Sequence, residues 1–129
     1  NPVSIINIDL NYFKHVNDTY GHAKGDELLI HFAEILKAAF PYPACVGRMG
    51  GDEFIVILDY ETEGELEAKI QNLNKVVTEW NQKTTEDKQI SFASGFASNE
   101  NDMTRSVWKV YEAADHKMYE YKQKYKMTR

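Results

Sequence analysis

The sequence has few of the residues that characterise secreted, membrane-spanning or zinc-stabilised proteins. Its 129 residues include one cysteine, Cys45, which excludes an internal disulfide and a zinc site built from several cysteines. The mean hydropathy is negative, and no apolar run approaches the roughly 20 residues that span a bilayer. The first residues lead straight into a strand-like run, so we expect no signal peptide. These absences favour a cytoplasmic domain without membrane contact.

The sequence also lacks an excess of positive charge. With 15 lysines and arginines against 20 acidic residues its net charge is −5, whereas electrostatic binding of nucleic acid needs a basic face. We therefore expect no nucleic-acid partner, although a local cluster could hold one small anion. Acids concentrate between Asp59 and Glu67, and basic residues between Lys117 and Arg129. The ordinary explanation of such runs is a solvated helix face.

Hydrophobic periodicity divides the chain into strands and helices. The predicted strands are 3–10, 44–49, 54–58 and 90–97. The predicted helices are two turns over 12–20, a helix from Gly25 to the stop at Pro41, and helices over 66–80 and 107–125. Asp26 and Glu27 would lie in the first turn of the helix that begins at Gly25, where acidic side chains are favourable.

The order strand, helix, strand, strand, helix, strand predicts a ferredoxin-like α+β fold, in which helices pack on an antiparallel sheet. A right-handed crossover makes the first two strands parallel, and a hairpin turn over 50–53 then reverses the third strand. The third strand can pair with the first, which places the end of the first strand and the turn at one edge of the sheet. We therefore expect the carboxylates of Asp9, Asp52 and Glu53 to meet in space.

Clustered carboxylates indicate a cation, because they repel one another and are costly to hold together without one. Oxygen ligands suit Mg²⁺ or Mn²⁺, and the four histidines show no pair at metal-ligand spacing. Two such ions could lower the pKa of an attacking hydroxyl and offset charge on phosphorus, which supports nucleotidyl transfer. Acids at strand ends and turns also occur for structural reasons, so the residues alone leave both explanations open.

The hairpin turn carries Gly-Gly-Asp-Glu-Phe at 50–54, which is identical to the signature of the GGDEF family of diguanylate cyclases. Further stretches resemble other motifs of that family. They are the first-strand stretch at 8–14, the stretch Asn-Asp-Thr-Tyr-Gly-His-Ala-Lys-Gly-Asp at 17–26, and the pairs Ser94-Gly95, Ala114-Asp115 and Met118-Tyr119. The resemblance covers nearly the whole chain. It implies one GGDEF domain over 1–129 with a palm-type, nucleotidyl cyclase-like sheet.

The resemblance implies a metal site at the signature turn. Asp9 resembles one metal ligand, helped by the backbone carbonyl of Leu10, and Asp52 resembles the second. Glu53 would assist the metals or the attacking 3′-hydroxyl. Gly50 and Gly51 precede these acids in the signature, and Phe54 is its last residue. The two glycines would let the backbone approach the nucleotide.

The resemblance also implies a nucleotide site. Asn17 and Asp26 resemble guanine-binding residues, and a carboxylate suits the N–H donors of guanine. The phosphate-binding groups would be the backbone amides of Tyr12 and Phe13 together with the side chains of Lys14, Lys122 and Lys126. Structural explanations remain open for three of these residues. Asp26 could favour a helix N-terminus, Asn17 could cap a turn, and Lys122 could stabilise a helix C-terminus.

The chain departs from the family pattern at several positions. Asn11 stands where the family often has a second acid, which matters little if Asp9 and Asp52 hold the metal. Lys126 stands where the family has an arginine, and lysine lacks the planar two-point grip of a guanidinium on phosphate. Residues 41–44, Pro-Tyr-Pro-Ala, supply neither charged residue of the family's product-inhibition motif, so we expect no inhibitory product site.

The resemblance implies condensation of two GTP molecules into cyclic di-GMP, with release of two pyrophosphates. Two GGDEF domains would meet as an antiparallel homodimer, so a lone domain should be monomeric and slow. The family domain normally begins earlier, so we expect a fragment of a longer protein without its sensory or dimerising region. The alternatives are a catalytically silent domain that binds GTP and regulates a partner, a cyclase of altered base choice, and a structural interaction domain.

Overall fold

Four strands and four α-helices account for most of the structure, a computed structural model that describes residues 2–59, 61–99 and 106–125. The strands are β1 (Val3–Leu10), β2 (Cys45–Gly50), β3 (Glu53–Asp59) and β4 (Phe92–Ser98). The helices are α1 (Phe13–Tyr20), α2 (His22–Ala39), α3 (Glu63–Lys83) and α4 (Val107–Tyr125), with a short 3₁₀ turn at Glu86–Lys88. Within these described ranges, no helix is long and apolar enough to cross a membrane.

The predicted elements are confirmed, with small shifts of their ends. The largest error concerns helix α2, which begins at His22 and not at Gly25, so that Asp26 and Glu27 lie beyond its first turn. The break between α1 and α2 falls at Gly21, whose φ of 94° is a backbone conformation that glycine adopts without steric cost. Glu53 also differs from its predicted place in the turn, because it is the first residue of β3.

The four strands form one sheet in the order β2-β3-β1-β4, and every neighbouring pair is antiparallel. β1 therefore lies inside the sheet and runs parallel to β2 without pairing with it, as predicted. Asp9 of β1 lies opposite Glu53 of β3, and the Leu10 amide donates to the Asp52 carbonyl at 3.0 Å. This register places the end of β1 beside the signature turn.

The two faces of β1 pack against different helices. Ile6, Ile8 and Leu10 join a large apolar cluster with side chains of α2 and α3. Ile5 on the opposite face packs with Val110 and Ala114 of α4. Because side chains alternate along a strand, Asn7 and Asp9 also lie on the α4 face, and both are buried. β1 therefore presents Asn7 and Asp9 to helix α4.

Helix α4 lies against β4 at Gly95, and the contact is between backbones. A Cβ atom at Gly95 would overlap the Met118 backbone nitrogen and would lie 2.5 Å from the Ala114 carbonyl oxygen. The missing side chain therefore sets how closely α4 approaches the sheet. That distance places the side chains of α4 over the end of β1.

Candidate active site

The end of β1 and the signature turn bring two buried aspartates to one end of the sheet. Asp9 and Asp52 are 1% and 5% exposed, and the backbone bond between Leu10 and Asp52 ties their segments together. Gly50 and Gly51 have φ values of 147° and 48°, which a residue with a side chain rarely adopts. The turn glycines are therefore required for the conformation that carries Asp52.

Lys122 of α4 neutralises the first of these carboxylates. Its ammonium nitrogen lies 2.7 Å from Asp9 Oδ2, and the two side chains are only 13% and 2% exposed. A pair this well shielded from water is screened much less than a surface ion pair. The two residues are 113 positions apart, so the contact depends on the docking of α4.

A second contact from α4 reaches the signature. The Tyr111 hydroxyl donates to Glu53 Oε1 at 2.8 Å, and buried Asn7 donates its amide to Asp115 Oδ1 at 3.3 Å. Burial, together with the hydrogen bond to Glu53, raises the pKa of Tyr111 to about 12. Helical spacing predicts Tyr111 only as a packing residue, and no motif includes Asn7. The available signal for Asn7 is an amide side chain between two isoleucines in a buried strand.

A cleft of about 440 Å³ lies between the end of β1 and helix α4. The lining residues are Asp9, Glu53, Tyr111, Asp115, Met118, Tyr119, Lys122 and Gln123. The cleft has the size of a small-molecule site and combines acidic, basic and aromatic groups. Its position next to the signature turn suits a phosphorylated ligand bound with a cation.

The expectation that three carboxylates meet is correct for the backbone but not for the side chains. Asp9 and Glu53 face each other across the ladder, yet the described residues contain no group of three acidic, histidine or cysteine side chains around a metal position. Asp9 instead pairs with Lys122, and Glu53 accepts a hydrogen bond from Tyr111. Two buried carboxylates with a neighbouring backbone carbonyl still fit a hard divalent ion.

The predicted guanine-binding residues come together through Gly25. Asn17 of α1 lies directly against Gly25 of α2, where a Cβ atom would overlap Asn17 Oδ1. That oxygen is buried and accepts no hydrogen bond from the described residues. Asp26 follows Gly25 in the chain and is exposed. A buried acceptor beside an exposed carboxylate suits a ligand with several N–H donors.

The predicted phosphate-binding groups lie at the start of α1. Tyr12 has a φ of 62°, and the first amides of an α-helix have no partner within the helix, so they can bind an anion. Lys14 is exposed and pairs with Asp18 at 2.7 Å, and this hydrogen bond raises the pKa of Lys14. Lys126 lies outside the described residues.

The comparison with protein families agrees with this geometry. The sequence matches the family described as "Diguanylate cyclase, GGDEF domain" over residues 1–128. The chain belongs to the GGDEF family. The signature at residues 50–54 is therefore embedded in a match over almost the entire GGDEF chain.

Curated relatives of this GGDEF chain are named diguanylate cyclases. Diguanylate cyclase A of Treponema denticola is 35% identical over 122 residues, which are 94% of this chain and 33% of that protein. Diguanylate cyclase DgcS of Shewanella oneidensis is 32% identical over 120 residues, which are 93% of this chain and 39% of that protein. The GGDEF chain thus spans between about a third and two fifths of the length of these two relatives.

Solved structures confirm the predicted palm-type, nucleotidyl cyclase-like fold. The GGDEF domain of DgcB from Caulobacter crescentus, in complex with c-di-GMP, has a TM-score of 0.84 and 25% identity, covering 95% of this chain and 73% of that one. The active GGEEF domain of a diguanylate cyclase from Vibrio cholerae has a TM-score of 0.82 and 28% identity, covering 96% of this chain and 78% of that one.

Proposed function

We propose that this chain is the catalytic domain of a diguanylate cyclase, which condenses two GTP molecules into cyclic di-GMP and releases two pyrophosphates. The observation that carries the proposal is the pair of buried aspartates, Asp9 and Asp52, at the end of β1 and in the Gly-Gly turn. Buried carboxylates are retained where a cation or a strong donor compensates them. The names of the relatives supply the nucleotide chemistry.

Asp9, Asp52 and the Leu10 carbonyl would hold Mg²⁺ or Mn²⁺, with two ions per site. When bound, such ions offset the charge that develops on phosphorus and make a hydroxyl a better nucleophile. The protein holds these oxygens on a strand end and a tight turn, both fixed by the β1–β3 ladder. When nucleotide binds, the Lys122 ammonium group would leave Asp9 and donate to a phosphate oxygen.

Asn17 and Asp26 would select guanine through its N–H donors, since an adenine would leave a buried acceptor without a partner. The amides of Tyr12 and Phe13 at the start of α1 would bind phosphate oxygens. Lys14 and Lys126 would add positive charge, Lys14 after leaving Asp18. The sequence at 41–44 would give no inhibitory product site.

The reaction would need two copies of the domain in an antiparallel homodimer. Each copy would hold one GTP, and each 3′-hydroxyl would attack the α-phosphate bound by the other copy. Holding two nucleotides in this orientation removes most of the entropy cost of their encounter. A chain that does not dimerise would therefore react slowly at low concentration.

The test is product formation by the chain fused to a strong dimerising segment. The fusion is incubated with GTP and Mg²⁺, the products are separated by anion-exchange chromatography, and Asp52→Asn is run beside it. A cyclic di-GMP peak that vanishes with Asp52→Asn is the expected result. GTP binding detected by titration, without any product, would contradict the proposal. It would favour a silent domain that regulates a partner, a hypothesis that Lys126 also supports.

A single methyl group added at Gly25 should disturb the guanine site while the rest of the fold stays unchanged. In Gly25→Ala the new Cβ collides with Asn17 Oδ1, so the Asn17 side chain must leave its place. We expect the KM for GTP to rise by about 10-fold or more, because a buried hydrogen bond to the base is worth about 1–3 kcal/mol. The measurement is the initial rate of the dimer-fused chain over a range of GTP concentrations.

Gly64→Ala is the matched control. Its Cβ would meet only the Thr62 hydroxyl oxygen at 4.0 Å, near the start of α3. This variant should keep the KM of the parent. An equal KM in Gly25→Ala and in the parent would show that Asn17 takes no part in nucleotide binding.

A further inference from the structure

Tyr111 joins helix α4 to the signature through one hydrogen bond. Its hydroxyl oxygen lies 2.8 Å from Glu53 Oε1, across a separation of 58 residues. An ionised carboxylate can only accept hydrogen bonds, so the phenol must be the donor. Hydrogen bonds to a charged acceptor are stronger than those between neutral groups. This contact is therefore strong enough to fix the orientation of the Glu53 carboxylate.

The Tyr111 ring is itself held in place by its neighbours. Trp108 stacks on it, with ring centroids 5.2 Å apart and an interplanar angle of 23°. The ring also packs against the apolar cluster that Ile5 of β1 forms with Val110 and Ala114 of α4. Tyr111 is thus braced by β1 and by its own helix. A braced donor restricts its acceptor more than a mobile one does.

Burial and the nearby charge of Glu53 hold the pKa of Tyr111 at about 12. The phenol therefore keeps its proton at any pH at which the enzyme would work. The Tyr111 hydroxyl is therefore available as a hydrogen-bond donor throughout that range.

We propose that Tyr111 is a positioning residue for Glu53, whose carboxylate it holds in the orientation that nucleotidyl transfer requires. The inference rests on the proposed cyclase function. Because Tyr111 acts through Glu53, its removal should affect the chemical step more than the binding of GTP. Misplacing a catalytic group slows a reaction even when the substrate still binds.

The first experiment compares Tyr111→Phe with Tyr121→Phe in the dimer-fused chain. Phenylalanine keeps the ring and its stacking on Trp108 and removes only the hydroxyl. Tyr121 lies on the same helix and also contacts an aromatic ring, that of Tyr125 at 4.6 Å between centroids, but it lies outside the lining of the cleft. We expect Tyr111→Phe to lower kcat by about 10-fold with the KM for GTP within twofold, and Tyr121→Phe to change neither value. An unchanged kcat, or a loss confined to KM, would overturn the inference.

A thermal double-mutant cycle gives a readout that does not depend on activity. The melting temperatures of the parent, Tyr111→Phe, Glu53→Gln and the double variant are measured in the unfused chain. We expect Tyr111→Phe to lower the melting temperature by about 4 °C in the parent and by clearly less in the Glu53→Gln background. Equal shifts in both backgrounds would overturn the contact.

The two experiments separate the two proposals. A parent that makes no product contradicts the proposed function, and the melting cycle then decides the positioning contact alone. A coupled cycle supports the contact and an additive cycle overturns it. With an active parent, the inference requires both the coupled cycle and the loss of kcat.

Discussion

Replacing Asp9 with asparagine is expected to lower the rate of cyclic di-GMP formation by about 1,000-fold, while the sheet stays folded. Asparagine preserves the shape of the side chain but removes the charge that would hold the metal, a loss worth several kcal/mol at the transition state. Lys122 loses its partner at 2.7 Å. Its long side chain can reach solvent, so the cost to stability should be small.

Asp59→Asn is the matched control for Asp9→Asn. Asp59 is the last residue of β3 and lies at the far end of the β1–β3 ladder from Asp9. It is exposed and pairs with Val3. The rate of product formation and the circular dichroism spectrum are measured for both variants. Asp59→Asn should match the parent in both. A rate within 10-fold of the parent for Asp9→Asn would rule out Asp9 as a metal ligand.

Gly95→Ala is expected to destabilise the fold by about 3 kcal/mol, at the upper end of what overpacking typically costs. The new Cβ would collide with the backbone nitrogen of Met118 and the carbonyl oxygen of Ala114, and neither can turn aside as a side chain can. Helix α4 must therefore move away from β4. Because Tyr111 and Lys122 lie on α4, the same change should also abolish product formation.

Gly47→Ala provides the comparison for Gly95→Ala. It also adds a methyl group to a strand glycine, but the nearest atom would be Ile55 Cγ2 at an ordinary 3.6 Å. Urea unfolding of the unfused chains measures both effects. Gly47→Ala should unfold at about the urea concentration of the parent, and Gly95→Ala well below it. Coincident midpoints for all three proteins would mean that α4 does not rest on Gly95.

The sequence allowed the fold to be predicted because its strands and helices differ clearly in apolar period. The Gly-Gly turn between two strand-like runs was enough to predict the hairpin, and the crossover rule then placed Asp9 beside the signature. Periodicity does not locate the start of α2, because it predicts a beginning at Gly25, which lies in the interior of the helix. Gly25 is small to admit Asn17, a contact between two helices that a local pattern does not contain.

The sequence alone also does not predict which residues contact the acidic side chains. The expectation that three carboxylates cluster followed from backbone topology, which the register of Asp9 and Glu53 confirms. It did not include the residues of α4, and helical spacing describes Tyr111 and Lys122 only as members of a face. Which atoms they contact depends on how closely α4 approaches the sheet, and Gly95 determines that distance.

The position of α4 also has a consequence for the order of folding. Each of the contacts Asp9–Lys122 and Glu53–Tyr111 joins a strand of the first half of the chain to its last described helix. Contacts between distant parts of a chain form late, because the loop between them must first be closed. The sheet pairing of β1 with β3 can exist before α4 docks, whereas the cleft cannot. During synthesis, nucleotide binding at this cleft would therefore be among the last properties of the domain to appear.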